Sequence, residues 1–165
     1  MTDVAVLTPD PAAPTYSTLW PGVLDRLGEA LATAGITARP TPWTAHVENA
    51  RALMDYPLVL PLLVWGYHQD HDRWLQACTA WAEAATPAET LRWNADKRYL
   101  ARLSEKGVAV PQTIFADHVD AAVLEAAFAA TGAEALVVKP TVSGGAWRTL
   151  RVTAGDPLDM ALANA

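Results

Sequence analysis

Asp3-Val-Ala-Val-Leu7 is the stretch on which the fold turns. It is short, apolar and rich in β-branched valine, and Thr8-Pro9 closes it, which predicts a first strand. A proline-rich loop through Pro14 follows. Leu19 to Ala34 then places Leu24, Leu27 and Leu31 at three- and four-residue spacing, with Gly35 just past the end, the pattern of an amphipathic helix and its C-cap. Pro21 is tolerated near its start because first-turn amides lack intrahelical partners. Ile36 to Arg39 reads as a second strand broken by Pro40 and Pro42, and Glu48 to Met54 as a short helix. Leu58-Val-Leu-Pro-Leu-Leu-Val-Trp65 reads as a third strand that Pro61 confines to an edge or a bulge. Asp70 is placed to cap a helix running to Ala85, with Trp74, Cys78 and Trp81 on one face, and Thr86-Pro87 ends it. The order β-α-β-(α)-β-α predicts an α/β fold with a small open parallel sheet.

Composition narrows the class further. The chain has 165 residues, 52% of them hydrophobic and 18% charged, with a formal net charge of -6. That is enough apolar content for one ordinary domain or two small ones, and it excludes disorder as the dominant state. The single cysteine, Cys78, rules out a disulfide framework and a multi-cysteine metal site, and fits a reducing cytoplasm. The longest apolar run, Leu58 to Trp65, is too short to cross a bilayer, so no membrane span is expected. Met1-Thr2-Asp3 is acidic where an export signal would be basic, and the acidity of the whole argues against a general nucleic-acid binder. Oligomeric state leaves no mark here.

The charge divides the chain. Residues 1–90 carry four Arg, no Lys and ten acidic residues, whereas residues 91–165 carry five Arg, three Lys and eight acidic residues, so the first part is strongly acidic and the second neutral. This division suggests domains at 1–90 and 91–165. Five of the eight cations in the second part lie between Arg92 and Lys106. Such a segment is either a site for a compact anion such as phosphate or a solvated helix face of mixed charge.

In that second part, Asn94 fits an N-cap for a helix from Ala95 to Glu105, with Gly107 as its stop. Gln112-Thr-Ile-Phe115 is strand-like, and Ala121 to Ala130 reads as a helix stopped by Gly132. Ala135-Leu-Val-Val-Lys-Pro140 reads as a strand, Ser143-Gly144-Gly145 as a tight loop, and Trp147 to Val152 as the returning strand. A short helix is expected from Asp156.

Lys139 ends the apolar strand, where a cation either snorkels to water or meets an anion. Ser143-Gly144-Gly145-Ala146 follows; its glycines permit successive N–H groups to face one anion, although paired glycines also suit a plain hairpin turn. Arg148 and Thr149 add donors on the return strand. Lys97, placed in a first helical turn, opposes the helix dipole unless an anion is near, or is simply exposed beside Asp96. The loop is neither a GxxxxGK[ST] nor a GxGxxG sequence.

Taken together, Arg92-Trp-Asn-Ala-Asp-Lys97-Arg-Tyr-Leu-Ala-Arg-Leu, Gly107-Val-Ala-Val-Pro-Gln-Thr113, Val137-Val-Lys139-Pro and Ser143-Gly-Gly-Ala resemble the ATP-grasp ligases. The resemblance is closest to the bacterial branch that includes the D-cycloserine-forming ligase and relatives of glutathione synthetase. It implies that residues 1–90 form the α/β domain preceding the ATP-grasp domain, on the substrate side. Residues 91–165 would then be the first, α+β part of the nucleotide-binding domain. It implies ATP and Mg²⁺ as cofactors, with Lys97 and Lys139 on the nucleotide phosphates and Ser143, Gly144, Gly145 and Ala146 folding over them. Arg148 would join that cluster. Small-molecule carboxylate and amine substrates are implied, joined through an acyl phosphate. Trp65, Tyr67 and His68 fall where relatives often show Trp-Asp-Tyr, which suggests a substrate role, with Gly66 in place of the aspartate. The family's metal ligands lie downstream of the glycine loop, so the chain is expected to be a fragment or a degenerate copy with little activity alone. The competing reading is a non-catalytic α/β module that binds a partner protein or a metabolite.

Other motifs have simpler readings. His68-Gln-Asp-His71-Asp72 is too loosely spaced for a metal site, and Asp70 serves as a cap. Trp74 and Trp81 fit a core face, and Cys78 shares it as an inert thiol. His46 and His118 receive no role. Ser17, Ser104 and Ser143 lack the setting of a hydrolase nucleophile.

Overall fold

The computed structural model describes residues 1–12 and 19–156. Pro14, Ser17 and the helix expected from Asp156 onward lie outside the described residues. The chain divides into two compact units, Met1–Ala95 and Asp96–Ala165.

The first unit is built on a parallel sheet of three strands in the order β2-β1-β3. Strand β1 (Thr2–Thr8) is central and buried from Val4 onward, as an apolar run flanked on both sides must be. Helix α1 (Trp20–Ala32) carries Pro21 in its first turn and ends in turns closed by Gly35, whose φ of +72° is one that glycine adopts without strain.

Strand β2 (Ile36–Pro42) runs on through the two prolines expected to break it. It is an outer strand, paired among the described residues with β1 alone. The Thr2 amide donates to the Gly35 carbonyl, so the alternation of a parallel ladder turns the amide positions 40 and 42 away from β1. A proline at either position therefore removes no ladder bond.

Strand β3, by contrast, is shorter than its apolar run suggested and comprises only Val59–Leu60. The Ala5 amide donates to the Leu58 carbonyl, so a regular ladder would next bring in the Leu62 amide; the Leu63 amide takes that place, 3.2 Å from the Leu7 carbonyl, and the register slips by one residue after Pro61. The helix expected over 48–54 is replaced by 3₁₀ turns at Trp43–His46 and Arg51–Leu53. The Asn49 side chain accepts from the Arg51 amide at 2.9 Å, a local bond that competes with a helix.

Helix α2 (His71–Ala80) starts where Asp70 caps the Arg73 amide and stops short of Ala85. Its Trp74 is the hub of the core, edge-on to Trp43 and to Trp81 with ring centroids 5.5 Å apart in each pair. Edge-to-face pairs of this kind add roughly 0.5–1.5 kcal/mol beyond simple burial. Helix α3 (Ala88–Asn94) was not anticipated; it begins after Pro87, so Asn94 closes a helix instead of capping one. The Arg92 guanidinium fastens α3 to α2 through the Leu75 carbonyl and the Thr79 hydroxyl.

The second unit holds helix α4 (Tyr99–Glu105), helix α5 (Ala121–Thr131) and an antiparallel pair, β4 (Ala135–Val138) with β5 (Leu150–Thr153). Helix α4 starts four residues later than expected, so Lys97 lies in the turn ahead of it and not in a first helical turn. Asp120 caps α5 through the Val123 amide, and Gly132 ends it at a φ of +63°. Gln112 to Phe115 forms no strand among the described residues; with no partner edge, β-forming side chains alone do not make one. The return strand begins at Leu150 and not at Trp147, because Gly145, Ala146 and Arg148 all have positive φ and turn the chain first. No described helix is long and apolar enough to cross a membrane.

Candidate functional site

The second unit contains a cleft of about 440 Å³. It is lined by Lys97, Lys139 and Thr141 together with the segment 111–116, α5 and β4. Lys139 is delivered there by β4, which ends one residue before it. Lys97 is delivered by the turn before α4, and the main chain fixes that turn: the Lys97 amide donates to the Thr141 carbonyl at 2.9 Å.

The Lys97 ammonium donates to the Ser143 carbonyl at 2.6 Å, a short charge-assisted bond. Burial pushes the Lys97 pKa below the ordinary lysine value, the Lys139 charge lowers it further, and Asp96 opposes the shift. Two like charges in one partly desolvated cleft are held at an electrostatic cost that an anion relieves.

Ser143 is buried, and its hydroxyl donates to the Pro140 carbonyl at 3.2 Å. Past it, Trp147 N–H returns to the Gly144 carbonyl and Thr149 N–H to the Ala146 carbonyl, forming two successive tight turns. Ala146 and Arg148 stand at φ of +61° and +49°, a left-handed conformation that strains any residue with a Cβ. The Arg148 guanidinium lies 4.7 Å from the centre of the Trp147 ring and is exposed. Of the residues singled out in the sequence, then, Lys97, Lys139 and Ser143 come together. Gly144, Gly145 and Ala146 form the adjoining turn, and Arg148 stacks on its neighbour instead of lining the cleft.

Sequence reasoning missed Thr141, which acts through its main-chain carbonyl and so leaves no side-chain signature. It also missed the cleft wall at 111–116, where apolar Ile114 and Phe115 were read as strand residues.

Trp65, Tyr67 and His68 belong to the first unit, after β3. Gly66 has a φ of +91° and leads into a 3₁₀ turn, Tyr67–Gln69. Tyr67 packs on Trp74 and His68, His68 is buried, and the Trp65 carbonyl accepts from Trp43 Nε1 at 3.3 Å. Their contacts are thus those of a wall of the Trp74 core.

A family model, the N-terminal domain of D-cycloserine synthetase DcsG, matches residues 4–90, more than half of the 165. The chain belongs to the DcsG N-terminal-domain family. The cycloserine biosynthesis protein DcsG of Streptomyces lavendulae is 35% identical over 120 residues, covering 68% of this chain and 39% of that protein. A crystal structure of D-cycloserine synthetase DcsG superposes with a TM-score of 0.67 at 28% identity, over 98% of this chain and 55% of that one. The match to the solved DcsG structure therefore extends through the second unit, which carries the cleft, and the α/β architecture is shared. The chain spans about half or less of the length of these DcsG relatives.

Proposed function

We propose that this chain is the N-terminal part of an ATP-dependent ligase of the ATP-grasp type, which joins a carboxylate to an amine or a related nitrogen nucleophile through an acyl phosphate. Membership in a synthetase family supports the ligase class. The observation that carries the nucleotide reading is that Lys97 and Lys139 line a single cleft, close enough for the charge of one to act on the other.

The residues present fit the phosphates of a nucleotide. Two ammonium groups offset phosphate charge, and the burial and Lys139 charge that lower the Lys97 pKa are both offset by an anion at its ammonium. Beside them the Gly144–Gly145 turn is open enough for close approach; a Cβ built on Gly145 meets nothing within 4 Å. The apolar walls suit a flat ring. In this reading Lys97 and Lys139 bind and orient the phosphates, and the main chain of 143–146 covers them. Phosphoryl transfer is governed by such positioning and charge stabilisation.

Magnesium does not fit the described residues: no group of three or more His, Cys, Asp or Glu among them could hold a metal ion.

The test is equilibrium binding of ATP with Mg²⁺ to this chain, with Lys139→Ala as the comparison. Loss of one charged hydrogen-bonding group predicts affinity lower by roughly tenfold or more. If Lys139→Ala binds as well as the parent, the nucleotide reading fails.

A further inference from the structure

The segment from Ser143 to Arg148 is held in an unfavourable shape. Ala146 and Arg148 are both left-handed without being glycine, and they flank Trp147 in a turn of only a few residues. Strained backbone of this kind persists only where surrounding contacts over-determine it. Within the loop, two turn bonds and the Arg148–Trp147 stack hold the chain. From another element Lys97 reaches it, its ammonium gripping the Ser143 carbonyl while its amide grips Thr141. Lys97 therefore clasps the chain on the stretch that joins Lys139 to the turn.

We propose that Lys97 is a positioning residue as well as a phosphate ligand: its ammonium anchors the Ser143–Arg148 loop beside the cleft before any ligand arrives. The value of that anchoring for catalysis rests on the nucleotide reading, since it sets the covering loop in advance and removes part of its ordering cost from binding. The anchor itself rests on geometry alone. Lys139 lines the same cleft but has no such bond to the loop among the described contacts, so the two lysines divide in role.

Hydrogen–deuterium exchange of the amides from 144 to 149, without nucleotide, tests it. Lys97→Met keeps the stem and removes the donor; loop exchange should rise by roughly tenfold or more, while the α5 amides keep their protection. Lys139→Met should leave the loop as in the parent. Lys97→Arg, which restores a charged donor, should recover most of the protection, and a purely space-filling role would not produce that order. Should Lys97→Met fail to fold, Lys97→Gln replaces it, with a neutral donor and an intermediate rise expected. Parent-like loop exchange in the Met or Gln variant, or an equal rise in Lys139→Met, overturns the proposal. No arm contains nucleotide, so the anchor and the ATP reading fail separately.

Discussion

Lys97 and Ser143 are joined across 46 positions of sequence by one bond, from the lysine ammonium to the serine carbonyl at 2.6 Å. That bond brings the turn before α4 to the glycine loop, and Lys139 lines the cleft beside it. The charged side chains that line the cleft are thus cationic, on a chain whose overall charge is -6. A local field of opposite sign to the whole is what a site for a compact anion requires.

The first prediction concerns pH. Burial and the Lys139 charge lower the Lys97 pKa from 10.5. The folded state therefore holds this proton less tightly than the unfolded state. In the window between the lowered value and 10.5, stability gains as pH rises through this group. Polyanion binding runs the opposite way, because it favours the ammonium. Affinity for tripolyphosphate should fall with rising pH in that same window, with proton uptake on binding visible by calorimetry in two buffers. Affinity that stays flat through the window contradicts the assignment.

Cys78 should be inert. Burial pushes its thiol up to about 11, despite the opposing Arg92 charge, and the side chain sits in the core cluster. At pH 8 the native protein should react with a thiol reagent orders of magnitude more slowly than the denatured chain. Native reactivity close to that of a free thiol would show that α2 is not packed as described.

Trp81 combines packing with a hydrogen bond from Nε1 to the His46 carbonyl at 2.9 Å. Trp81→Phe retains the ring contact and should cost about 1 kcal/mol, whereas Trp81→Ala should cost about 3–5 kcal/mol. Urea unfolding of the first unit measures both. No loss in Trp81→Phe would mean that the bond contributes nothing, and equal losses in the two variants would mean that the ring contact does not.

The cap of α5 offers a milder probe. Asp120→Ala removes the acceptor for the Val123 amide and should destabilise the second unit by about 1 kcal/mol, read from its denaturant midpoint. An unchanged midpoint would show that the cap does not contribute to stability.

Much of this was legible in the sequence, for identifiable reasons. The short valine-rich run ending at Leu7 marked a buried strand, and Asp70 and Gly132 announced helix ends through chemistry local to each position. The prolines misled in opposite directions. Pro40 and Pro42 sit harmlessly in an outer strand whose phase depends on its partner, while the strand that looked longer stops just before Pro61, where the register slips by one residue. Phase and partnership are tertiary facts and leave no mark in one segment. Lys97 was singled out for a dipole argument that does not hold, since α4 begins after it; what makes it notable is a long-range bond to a main-chain oxygen. Arg148 was expected on a strand and lies in the turn, because positive φ at Ala146 and Arg148 is not encoded by residue type.

The central claim is that Lys97 and Lys139 act on one bound polyphosphate. A double-mutant cycle on ATP affinity, with Lys97→Gln, Lys139→Gln and both together, tests it most directly. The account predicts that each single change weakens binding by roughly tenfold or more and that the double change falls clearly short of the product of the two, because both groups serve the same ligand. Single variants that bind like the parent, or losses that multiply as those of independent sites do, would contradict it.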